Sequence, residues 1–190
     1  MSGERVTEAA GGAMSVLARI LGGLDALSRV CGYVAAVLVV GIAALILTEV
    51  FCRTVLNISL SFAWEYSAYF LAVSIFLAAA FTLRTGGHVR VMLLSQNVPP
   101  RVAHWLDFVA TLGGVVIAGW LAWSLAGFAW KSWATGSTSA TIDETPLVIP
   151  QAAMAFGAVL LALQLVARAI RLLAGDPPED EEARREFGVG

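Results

Sequence analysis

Four stretches of this sequence hold no charged side chain. There are 19 residues between Arg29 and Glu49, 18 between Glu65 and Arg84, 23 between Asp107 and Lys131, and 23 between Glu144 and Arg168. A helix that crosses a bilayer needs ~20 consecutive, predominantly apolar residues, so each stretch has the length of a membrane span. Only 14% of the chain is charged, against roughly a quarter in an ordinary soluble domain, and a conventional water-soluble globule is excluded. The formal charge of −2 leaves no basic footprint, and no Lys/Arg run is interleaved with aromatics, so nucleic acid is excluded as a partner.

The expected fold is an all-α integral membrane protein whose four transmembrane helices cover about residues 30–51, 62–83, 105–130 and 148–170. Pro150 suits the first turn of the fourth span, where a missing N–H costs nothing. Lys and Arg fall three before span one (Arg5, Arg19, Arg29), one in the first loop (Arg53) and three in the second (Arg84, Arg90, Arg101). The third loop has Lys131 alone, and the tail has Arg168, Arg171, Arg184 and Arg185. Alternate compartments thus hold 10 and 2, and the positive-inside bias puts both termini in the cytoplasm. Span one follows a leader containing acids and exceeds a typical signal-peptide core, which predicts that it is retained.

The flanking segments divide the chain further. Residues 1–13 read as disordered, 14–175 as the membrane domain and 176–190 as an acidic disordered tail. From Met14 to Ser28, Leu17, Ile20, Leu21, Leu24 and Leu27 follow helical spacing with Ser15, Arg19, Asp25 and Arg29 opposite. That pattern predicts an interfacial amphipathic helix that lies on anionic lipid at the cytoplasmic leaflet or packs against a partner. Between spans two and three, Gly86-Gly87 and Pro99-Pro100 bracket Val89–Leu94, which predicts a short interfacial helix.

Span three carries Ala110, Gly114, Ala118, Ala122 and Ala126, a small residue at every fourth position, and so reads as a helix-packing stripe. Trp120 and Trp123 project to the opposite side, too deep for an interfacial belt, and face either lipid or a partner. Every ionisable residue near the spans sits at a boundary, so no proton or ion relay is built into them. Glu49 and Arg53 have the spacing of an i,i+4 ion pair. His88 and His104 are not stacked across two spans, which argues against bis-histidine haem ligation. No HExxH, GxSxG or phosphate-binding loop occurs, so neither enzymatic activity nor a cofactor or metal is expected. Cys31 and Cys52, ~30 Å apart along one helix at ~1.5 Å per residue, cannot pair.

The segment Glu-Val-Phe-Cys-Arg-Thr-Val-Leu-Asn from Glu49, then Trp64-Glu65, then Leu-Arg-Thr-Gly-Gly-His-Val-Arg-Val, resembles the small permease subunit of tripartite ATP-independent periplasmic (TRAP) transporters, the DctQ-like family. Thr-Pro-Leu-Val-Ile-Pro-Gln at 145–151 resembles that family's entry to its fourth span. The resemblance matches Arg53 to the arginine after the first span, Glu65 to the acid opening the second, His88 to the histidine of the His-Val-Arg-Val stretch and Pro150 to the proline before the fourth. Met92 stands where the family often has an aspartate, and Glu65 stands alone where many members have two adjacent acids. The resemblance implies a bacterial inner-membrane scaffold subunit, without ligand sites of its own. Its partners would be a large permease carrying substrate and sodium sites, a periplasmic substrate-binding protein and membrane lipids. Carboxylate-type organic anions would be imported on a sodium gradient. Arg53, Trp64, Glu65, His88, Trp120 and Trp123 are the candidate partner contacts. The rival readings are a stand-alone homo-oligomeric four-helix carrier using a boundary acid, Glu49 or Glu65, and a membrane redox enzyme.

Overall fold

The structure, a computed structural model, describes residues 2–86, 99–141 and 143–175. Among these residues there are four long helices: α1 (Ser2–Phe51), α2 (Ser61–Arg84), α3 (Pro100–Thr135) and α4 (Val148–Ala174). Each contains a segment long and apolar enough to cross a membrane. The 24 residues of α2 extend ~36 Å at ~1.5 Å per residue, more than the ~30 Å of a hydrocarbon core. His88, the short helix expected between spans two and three and the acidic tail lie outside the described residues.

The helix ends follow local chemistry. A π-helical turn, Cys52–Leu56, closes α1 and stops at Asn57, whose left-handed φ of 54° suits an asparagine better than most residues. Pro100 stands in the first turn of α3 and Pro150 in that of α4, positions whose N–H would be unpaired in any case. Gly136 and Gly175 end α3 and α4 with φ of 61° and 77°, the left-handed caps that glycine adopts without a Cβ clash.

Helix α1 begins at Ser2, which joins the N-terminal segment to span one. The segment contains no proline and several good helix formers, among them Glu4, Arg5, Glu8 and Ala9, and it prolongs an existing helix without a fresh nucleation cost. The amphipathic stretch is likewise not a separate element but the middle of α1, since nothing between Met14 and Phe51 breaks the helix.

The helices stand in a row in the order α1, α2, α4, α3. Among the described residues α4 packs on both α2 and α3 and touches α1, whereas α3 packs on α4 alone. The main apolar core lies where α1, α2 and α4 meet, with Cys31 and Ala35 against Leu77, Ala80 and Leu160. Because lipid is as apolar as leucine, close backbone approach and van der Waals fit hold such a row together, and small residues dominate its contacts. Gly157 is the extreme case. A Cβ there would lie 2.6 Å from the carbonyl carbon of Phe76 and 3.0 Å from the amide nitrogen of Leu77, so α2 and α4 touch backbone to backbone.

Part of the small-residue stripe on α3 meets α4 within the chain. Ala118 and Ala122 are buried and Gly114 abuts Leu165, but Ala110 and Ala126 are exposed. Four residues advance a helix by about 400°, a drift of ~40° per step, which carries the ends of a strict i+4 series off the contact. The face that α3 buries instead runs through Thr111, Ala118, Ala122, Ala129 and Ser132.

Gly157→Ala should therefore lower the stability of the detergent-purified protein by ~1–3 kcal/mol, the usual cost of overpacking. Gly119→Ala, with open space around it, should be neutral or slightly stabilising. Equal thermal midpoints for the two variants would refute the backbone contact.

Candidate functional site

One end of the row is tied by buried polar groups. Asp25 of α1 accepts from Arg171 of α4 at 2.7 Å, faces Nε of Arg84 at the end of α2 at 3.2 Å, and accepts from the Gln164 amide at 3.1 Å. Gln164, 1% exposed, also donates to Ser28 at 2.9 Å, and Ser28 returns its own proton to the Leu24 carbonyl. One carboxylate thus joins three helices. The fourth joins through Arg168, whose side chain is 4% exposed and lies 3.1 Å from Asp107 of α3. Its Nε also donates to Thr111.

Sequence reasoning placed Asp25 on the polar, outward side of an interfacial helix and missed this cluster. In the structure Asp25 and Ser28 face the neighbouring helices, whereas Leu17, Ile20 and Leu27 are exposed. A signal was present in α4. Gln164, Arg168 and Arg171 follow i, i+4, i+7 spacing and share a stripe with Gly157 and Leu160; an amide within an apolar run must find an internal partner.

At the other end, Glu49 stops α1 from fraying away from α2. Its carboxylate accepts the Leu60 N–H at 2.6 Å and the Ser59 hydroxyl at 3.2 Å, which satisfies an orphan donor at the start of α2. The expected Glu49–Arg53 pair is loose, 3.9 Å apart with the Arg53 side chain 64% exposed. Glu65, buried, accepts from Tyr69 at 2.6 Å and from the Thr141 hydroxyl. Through Thr141 it holds the α3–α4 connection, which is itself folded back on Ser139 N–H to Thr145 carbonyl and Leu147 N–H to Ser137 carbonyl hydrogen bonds.

The candidate contacts therefore divide. Arg53 and Trp64 line one groove between α1 and α2, while Glu65 turns toward the α3–α4 connection. Trp120 and Trp123 stand apart on α3, 74% and 80% exposed, on the side away from α4. Cys31 and Cys52 are free thiols, and among the described residues no three His, Cys, Asp or Glu side chains gather as metal ligands would.

Asp25→Asn should destabilise the protein by about 3 kcal/mol, the low end for stripping a buried ion pair of one partner, because two arginines then lose their counter-charge. Arg53→Ala, which removes an exposed pair, should cost about 0–1 kcal/mol. Thermal midpoints in detergent compare the two, and similar shifts would contradict the keystone role of Asp25.

Comparison with curated proteins and with solved structures returned no match. The family model for the DctQ component of tripartite ATP-independent periplasmic transporters matches residues 42–175. That segment contains the end of α1, the Glu49 and Glu65 anchors, the α3 tryptophans and all of α4, and on that match the chain belongs to the DctQ family, the small permease component of TRAP transporters.

Proposed function

We propose that this chain is a scaffold subunit: it braces a large permease that carries the substrate and ion sites of a sodium-driven importer of carboxylate-type organic anions. In TRAP systems the DctQ component works with a large permease and a substrate-binding protein, and the family is one of transporter components rather than enzymes. The observation that carries the proposal is the division of the surface. Ionisable groups tie the two ends of the row, and the faces between them are apolar, with Trp120 and Trp123 fully presented on α3. Exposed tryptophan is the residue best suited to anchor a protein contact, and a row with bare faces is suited to line another membrane protein.

In this reading both termini lie in the cytoplasm of a bacterium, with the chain in the inner membrane. Arg84, Arg168 and Arg171 gather at the Asp25 end, whereas Arg53 and Lys131 are the Lys and Arg side chains beyond the other boundary, which agrees with the positive-inside bias. The Glu49–Glu65 end then faces the periplasm, where a binding protein docks transiently.

The rival homo-oligomeric carrier would need Glu49 or Glu65 to handle an ion or proton. Glu49 is engaged by Leu60 and Ser59 and Glu65 by Tyr69 and Thr141, roles that hold the fold rather than leave a carboxylate open to cargo.

The test is to tag the C-terminus, extract native membranes in mild detergent and identify what co-purifies. A large permease in stoichiometric amount is expected. Trp120→Ala with Trp123→Ala should reduce its recovery about tenfold or more, the loss expected from removing interface anchors. Arg53→Ala or Glu65→Ala should impair assembly or transport while leaving substrate preference unchanged. Recovery of the chain with copies of itself alone, active in liposomes, would overturn the proposal, as would an altered substrate preference in either variant.

A further inference from the structure

Glu65 is a buried anion with no cationic side chain beside it. It is 7% exposed, and both of its oxygens accept hydroxyl protons, one from Tyr69 and one from Thr141. Among the described residues no Lys, Arg or His pairs with it. A carboxylate taken out of water ordinarily finds a basic side chain or a metal ion. Asp25 and Asp107, at the other end of the row, follow that rule with arginines, whereas Glu65 is met by hydroxyls.

The hydroxyls of Tyr69, Ser139, Thr141 and Thr145 all face this carboxylate. Thr145 decides what they suit. It is 6% exposed, and its Oγ1 is buried yet closes no hydrogen bond, so it calls for a water or an ion as partner. A water would answer the hydroxyl and leave the charge of Glu65 unbalanced; a cation answers both. Hydroxyls that donate to a carboxylate keep lone pairs to offer, and an all-oxygen set selects a hard cation over a transition metal. One carboxylate balances one positive charge, whereas calcium gathers ~6–8 oxygens. Thr141 is exposed, and so are Asp143 and Glu144 on the same connection, which gives the approach from water a negative field.

We infer that Glu65, Ser139, Thr141 and Thr145 hold one alkali cation, sodium or potassium, which ties the α3–α4 connection to α2. The ion is a fastening rather than cargo. The inference needs only α2 and the connection, so it stands or falls apart from the subunit reading.

The full chain, expressed without a partner and purified in detergent, should gain thermal stability as choline chloride is replaced by sodium or potassium chloride at fixed pH and ionic strength. The rise should saturate, reaching about 3–5 °C at ten times the dissociation constant, and the cation that acts at the lower concentration is the occupant. Thr145→Val keeps the shape of the side chain and removes the unanswered hydroxyl, and Glu65→Gln keeps the shape and removes the charge. In each variant the difference between choline and the effective cation should vanish; reading that difference within one variant separates ion binding from any change in overall stability. A midpoint indifferent to the cation would overturn the inference. So would a rise that never saturates, which is a bulk salt effect, or one that survives either substitution.

Discussion

Hydrocarbon supplies no hydrogen bonds, so a polar group beneath the headgroups must be answered from within the protein. This chain meets that demand at three scales. Its spans are helical, which settles the backbone. Several hydroxyls within the helices bond back to the preceding turn, as Thr48 does to Ala44 and Thr111 to Asp107, although the buried Ser67 hydroxyl of α2 does not. The groups too long or too charged to be settled locally, Gln164, Arg168 and Arg171, converge on Asp25, Ser28, Asp107 and Thr111. Those few partnerships fix which faces of α1, α3 and α4 turn inward, and the small-residue contacts then follow from the faces so chosen.

What the sequence made legible is what depends on neighbours along the chain. Gaps between charges marked four spans, and proline and glycine marked where α3 and α4 start and stop. Contacts between distant residues left weaker traces. Glu65 and Thr141 stand 76 positions apart, and no local pattern links them. Asp25 was misplaced because the apolar side of an amphipathic helix was taken to face lipid and the polar side water. Within a membrane bundle the same split places apolar side chains toward lipid and polar ones toward other helices, so the pattern survives while its meaning inverts. The ends of the stripe on α3 leave the α4 contact because a four-residue repeat is not the period of a helix. By contrast, the Gln164, Arg168 and Arg171 series kept true helical spacing and lies on one face as a result.

Family membership and geometry meet in the distribution of chemistry over the surface. A carrier that moved its own cargo would hold polar groups free along a path between the two sides. Here Asp25 with Arg84 and Arg171, Asp107 with Arg168, and at the other end Glu49 and Glu65, join helices, and the long middle is left to packing and to apolar contact. Rigidity is the property such an arrangement supplies. A frame braced at both ends, with tryptophans outward on one flank, agrees with the scaffold role proposed above.

The spatial order α1, α2, α4, α3 differs from the order of synthesis. The third helix leaves the ribosome before the fourth, yet among the described residues the fourth is its sole neighbour within the chain. Its contacts within the row therefore form only once α4 has been made and lies between it and α2. Gly157, whose missing side chain lets that later helix lie against the backbone of α2, is then a feature of assembly as well as of packing: the helix made after α3 is the one that closes the row.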